Sequence, residues 1–101
     1  VLEIGTGSGY LTALLSPFVQ RIISLEIIPE LARQANARLK NMGYHNIEVI
    51  ISDGSFGYKK FAPYNRIIVS ASSTCIPPEL LEQLDNNGKM IIPIGNHTLK
   101  N

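Results

Sequence analysis

Short apolar runs alternate with amphipathic segments along the 101-residue chain. Val1–Ile4, Arg21–Leu25, Ile47–Ile51, Arg66–Ser70 and Lys89–Ile94 are rich in Ile and Val and almost unbroken in apolar character. That pattern predicts five short strands covered on both faces. Helix patterns lie between them. Gly9–Leu15 is the first, closed by Ser16-Pro17, since a residue before proline is pushed out of the helical region. Pro29–Met42 places Leu31, Ala32, Ala35, Leu39 and Met42 on one stripe, with Pro29 and Glu30 suited to a first turn and Gly43 to a stop. Pro78–Leu84 is the third, ending before the turn signal Asn86-Asn87-Gly88. Strands alternating with helices predict an α/β fold: a doubly wound, mostly parallel sheet in three α/β/α layers, as one domain over residues 1–101.

Composition narrows the function classes. Nine basic against eight acidic residues give a net charge of +1, with no run of Lys or Arg beyond Lys59-Lys60. Neither nucleic acid nor an anionic membrane is expected as a partner. The apolar runs are too short to span a bilayer, and no signal-peptide pattern opens the chain. Cys75 is the single cysteine, so it forms no internal disulfide and has no partner at metal-ligand spacing. A reducing, cytoplasmic setting and no metal are expected. His45 and His97 read as surface residues, Cys75 as a packing residue, and Tyr58 and Tyr64 as packing or groove-lining residues. The chain opens on Val1 inside an apolar run, which points to a truncated front end.

In doubly wound sheets, ligands bind beyond the carboxyl ends of the strands, so the residues following each predicted strand carry the functional information. Gly5-Thr6-Gly7-Ser8-Gly9 follows the first, Glu26 the second, Asp53-Gly54 the third and Ala71-Ser72-Ser73 the fourth. The glycine loop departs from the dinucleotide pattern G-x-G-x-x-G, because Tyr10 stands where the third glycine is expected, and no Gly-Lys-Ser/Thr of a P-loop follows. A carboxylate at Glu26 suits the two hydroxyls of a ribose. One at Asp53 suits the exocyclic amine of an adenine, with backbone N–H groups near Gly54 for the ring nitrogens. Glu3, just before the loop, sets negative charge beside a cationic part of the ligand. Three acids would repel a pyrophosphate and attract a sulfonium and an ammonium, which favours S-adenosyl-L-methionine over NAD.

The segments "VLEIGTGSGYLTALL", "SLEIIPELARQA", "DGSFGY", "APYNRIIVSA" and "QLDNNGKMIIPIG" resemble the protein-L-isoaspartate O-methyltransferase family, Rossmann-like class I methyltransferases, over essentially the whole chain. The resemblance implies methyl transfer from S-adenosyl-L-methionine to the free α-carboxylate of L-isoaspartyl residues in damaged proteins, by a monomer when full length. It implies that Gly5, Thr6, Gly7 and Gly9 pass the methionine part of the cofactor. Glu26 would hold the ribose, Ile27 would lie against the adenine, and Asp53 and Gly54 would hold the adenine edge. Asn65 stands where the family usually has Asp, and Ser70-Ala71-Ser72-Ser73 replaces an alanine-rich stretch bordering the peptide end of the site. The family's serine-containing loop and its C-terminal sheet completion have no counterpart in these residues, so no catalytic residue is assigned. Three other readings stay open: a truncated module that binds cofactor without transfer, a related methyltransferase acting on RNA or a small molecule, and, less favoured, half of an NAD dehydrogenase.

Overall fold

The computed structural model describes residues 1–70 and 78–92. Five strands lie among them: β1 (Leu2–Ile4), β2 (Ile22–Glu26), β3 (Ile47–Ile51), β4 (Tyr64–Val69) and β5 (Leu84–Ile91). Three helices connect them: α1 (Tyr10–Leu15), α2 (Pro29–Asn41) and α3 (Pro78–Glu82). All strand pairs are parallel, and the sheet order is β3-β2-β1-β4-β5. The chain therefore winds outward from β1 in one direction and then in the other, with the switch point between β1 and β4.

Alternation along the strands sorts their side chains by face. Leu2, Ile23, Leu25, Ile67 and Val69 join Leu80 of α3 and Tyr64 in one buried apolar cluster. Glu3 and Ser24 point the other way and meet Thr12 of α1 through hydrogen bonds. β2 is buried at all five positions, Ser24 and Glu26 included. The centre of the sheet is thus oily on one face and carries a buried polar group on the other.

The expected strands and helices are present, with shifted boundaries. β4 begins at Tyr64 rather than Arg66, because the Tyr64 N–H already bonds the Gln83 carbonyl at 2.8 Å. It ends at Val69, and the Ser70 N–H then bonds Ile4 O at 2.9 Å. α3 stops at Glu82, short of the expected Leu84, which instead opens β5. β5 also starts well before Lys89: Tyr64 pairs with Leu84 and Arg66 with Lys89, so Asp85–Gly88 sit opposite Asn65 as a bulge. The Asn86-Asn87-Gly88 turn signal lies inside the strand, not ahead of it. On α2, Ala32, Ala35 and Leu39 are buried and Leu31 is half-buried, but Met42 is 60% exposed. The helix ends at Asn41, and Gly43, at φ 87°, turns the chain away before Met42 can pack. β3 matches its expected bounds yet, as an edge strand, is only partly covered. Cys75, His97, Ser72, Ser73 and the expected end of the fifth strand lie outside the described residues. No helix among the described residues is long and apolar enough to cross a membrane, and no group of potential metal ligands clusters among them.

Candidate functional site

A cavity of about 700 Å³ opens at the carboxyl ends of the strands. Its floor is the glycine loop. Gly5, Gly7 and Gly9 have φ of 96°, 56° and 86°, a region costly for any residue with a Cβ. The Gly5 and Thr6 N–H groups both bond Leu25 O, at 2.8 and 3.1 Å, so the loop folds over the end of β2. Gly9 caps α1, and a Cβ there would meet Leu39 of α2 at 3.4 Å. Arg38 of α2 fastens the same loop by donating to Ser8 O at 2.5 Å.

Glu26 sits at the end of β2, only 6% exposed. One carboxylate oxygen accepts the Gly7 N–H at 2.8 Å and the other the Ile28 N–H at 3.1 Å. The loop and the acid thereby fix each other, and each oxygen keeps a lone pair for a further donor. Ile27 follows on the cavity wall, 61% exposed.

Asp53 lies on the far wall, after β3. Its carboxylate accepts the Ser55 N–H at 2.9 Å, capping the single helical turn Gly54–Phe56. That bond holds the Asp53 carboxyl below its ordinary value. Gly54 is packed face-on against β1: a Cβ would stand 2.2 Å from Ile4 Cγ2. The turn is held from behind by Gln83, which donates to Phe56 O at 2.9 Å and accepts the Tyr58 N–H at 2.8 Å.

Glu3 is fully buried where the loop begins and borders the same cavity. Its Oε1 accepts hydroxyls from Thr12 and Ser24, the latter at 2.6 Å, and Thr6 bonds Ser24 in turn at 2.6 Å. Burial raises the Glu3 carboxyl above its ordinary value, while the hydroxyls of Ser24, Thr12 and Ser70 pull it back.

Every residue singled out for the cofactor, Glu3, Gly5, Thr6, Gly7, Gly9, Glu26, Ile27, Asp53 and Gly54, is in or beside this cavity. Sequence reading missed Arg38 and Gln83, which act on the loops from outside, and Leu80 and Ile92, which line the wall. Nothing local in the sequence marks them. Tyr64, by contrast, belongs to the apolar cluster, where its hydroxyl donates to Tyr58 O.

A parallel sheet in this order, with a glycine loop after β1 and acids after β2 and β3, defines a Rossmann-like methyltransferase domain. A solved protein-L-isoaspartate O-methyltransferase superposes with a TM-score of 0.88 at 31% identity, over 98% of this chain and 32% of that one. The chain belongs to the protein-L-isoaspartate(D-aspartate) O-methyltransferase (PCMT) family, whose profile matches residues 1–101. Protein-L-isoaspartate O-methyltransferase 2 of Archaeoglobus fulgidus is 52% identical over 99 residues, covering 95% of this chain and 45% of that protein. The chain thus spans about half the length of the curated relatives it matches. A Plasmodium falciparum structure assigned to the same family, with S-adenosyl-L-homocysteine bound, is 27% identical with a TM-score of 0.75, over 93% of this chain and 50% of that one.

Proposed function

We propose that residues 1–101 form the S-adenosyl-L-methionine-binding domain of a cytoplasmic enzyme that methylates the free α-carboxylate of L-isoaspartyl residues in damaged proteins. The observation that carries this reading is the charge of the cavity. Glu3, Glu26 and Asp53 border it from three successive strand ends, and no Lys, Arg or His is among its described lining residues. A phosphate-bearing ligand would be repelled there, whereas a sulfonium and an ammonium are attracted. The buried Glu3 oxygen that has no partner among the described residues and the cradle of positive-φ glycines both fit such a ligand.

When bound, S-adenosyl-L-methionine supplies an electrophilic methyl group on a positively charged sulfur. The chain's own residues bind and orient. Gly5, Thr6, Gly7 and Gly9 let the backbone approach the methionine part closely. Glu26, immobilised by two N–H groups, offers its remaining lone pairs to the ribose hydroxyls, beside Ile27 under the adenine. Asp53 and the backbone at Gly54 take the adenine edge. An α-carboxyl has an ordinary pKa of about 3.3–3.7 and is already an anion at neutral pH, so no strong base is needed among these residues. Orientation of the two reactants carries the rate, an effect of about 7–11 kcal/mol in favourable cases.

The test pairs calorimetry with S-adenosyl-L-homocysteine and a methylation assay comparing an isoaspartyl peptide with its aspartyl counterpart. Binding together with methyl transfer confined to the isoaspartyl peptide supports the reading. Transfer to RNA alone, or binding of NAD in preference, overturns it.

A further inference from the structure

Glu3 does not behave as an ordinary core residue. Its side chain is wholly buried in the middle of β1, yet only one of its oxygens is satisfied. Oε1 accepts two hydroxyls, from Thr12 of α1 and Ser24 of β2, while Oε2 has no hydrogen-bond partner among the described residues. A buried oxygen left bare is destabilising, more so when charged, and such atoms call for a specific reason. The reason lies in the cavity that Glu3 borders. Both hydroxyls gather on the same oxygen, which leaves the second one for a donor that arrives from outside.

We propose, on the reading above, that Thr12 and Ser24 are positioning residues that hold Glu3 as the buried counter-ion for the cationic amino-acid end of the bound S-adenosyl ligand. Neither lines the cavity. Each donates to the carboxylate and so favours its charged form, and Ser24 is itself steadied by Thr6 of the glycine loop. β2 presents Ser24 and α1 presents Thr12, while the Ser70 hydroxyl, after β4, lies near the carboxylate without bonding Oε2. Among the described residues, the remaining ionisable groups of the cavity are Glu26 after β2, Asp53 after β3 and Tyr10 opening α1, none of them a cation. Burial favours a protonated Glu3 and the hydroxyls oppose it. Ligand binding and loss of the Glu3 proton are therefore coupled, and the two hydroxyls set the pH at which the coupling acts.

Calorimetric titration of the protein with S-adenosyl-L-homocysteine, between about pH 4.5 and about pH 7, tests this in a window where the ligand keeps its ammonium. Asp53, held below its ordinary value, stays charged there. Affinity is expected to fall as pH drops through the Glu3 titration. Thr12→Val and Ser24→Ala should each raise the midpoint by about one pH unit, a tenfold change in proton affinity. Thr12→Ser should restore the parent profile, and Glu3→Gln should flatten it. A parent profile that is already flat, or midpoints unmoved by both hydroxyl deletions, overturns the positioning role while leaving the cofactor assignment intact. Absence of binding at every pH overturns both. If the hydroxyl deletions do not fold, the parent and Glu3→Gln profiles still decide the matter, because a counter-ion role requires them to differ.

Discussion

Both oxygens of Glu26 accept a backbone N–H, so its removal does two things at once: the glycine loop loses its tether and, on the proposed reading, the ribose loses its acceptors. Hydrogen bonds to a charged group contribute about 1.5–3 kcal/mol each. Glu26→Ala is expected to weaken S-adenosyl-L-homocysteine binding by about tenfold to a hundredfold, read by calorimetry; an unchanged affinity would remove Glu26 from the site. Gly54 is constrained by space rather than by φ. Gly54→Ala drives a methyl into Ile4 Cγ2, an overpacking cost of about 1–3 kcal/mol. With about 4–8 °C per kcal/mol in a domain of this size, the loss is visible in a thermal melt. Adding Ile4→Ala should relieve part of it, so the two changes will not add. Glu3 gives stability a pH dependence of definite sign. Its folded value is raised, so its contribution is fully present below the ordinary glutamate pKa and is lost as pH rises through the folded value. Urea melts should therefore find Glu3→Gln gaining on the parent protein as pH increases from about 4.5 toward neutrality.

Single elements are positioned by residues far from the cavity in sequence. The turn Gly54–Phe56 carries little packing of its own and is held by Gln83, between α3 and β5. The same residue's backbone starts the β4–β5 ladder through its carbonyl. Gln83→Ala strips the partner from the Tyr58 N–H and from Phe56 O, at about 1–3 kcal/mol for groups left unsatisfied. Hydrogen exchange should speed up in residues 54–58 before β1 and β2 are affected. Gly57, at φ 63°, leaves no room for a Cβ beside the Gln83 amide, which ties this glycine to the clamp. On the opposite side of the cavity, Arg38 and Leu39 of α2 do the equivalent service for the loop at Ser8 and Gly9. One wall of the site is thus braced by the residue that follows α3, the other by α2.

For the molecule as a whole, the winding of the chain puts its most polar interior and its ligand cavity on the same axis, at the ends of β1 and β2. Its edges are less protected. Among the described residues β5 pairs with β4 on one side only, and Ile91 on it is 55% exposed. Edge strands with apolar surface invite pairing with another chain. Sedimentation velocity of the 101-residue chain is expected to reveal self-association that rises with concentration. Ile91→Lys should weaken it about tenfold or more, given what burying such a side chain contributes. A concentration-independent monomer would show that this edge does not recruit a second chain.

The residues themselves dictated the alternation of strands and helices, the glycine loop and the acids at strand ends, because periodicity and left-handed turns are local properties of a chain. They also marked Glu3, Glu26 and Asp53, whose charge makes them conspicuous at the ends of apolar runs. What they could not specify is which oxygen of Glu3 stays bare, that Gln83 and Arg38 brace the loops, and that Asn86-Asn87-Gly88 becomes a bulge instead of a boundary. Those outcomes depend on partners distant in sequence: the Tyr64 N–H that draws β5 back to Leu84, and the convergence of Thr12 and Ser24 on one oxygen of Glu3. Only the winding of the sheet brings such groups within bonding distance, and bonding distance is what selects among the arrangements each residue could locally adopt.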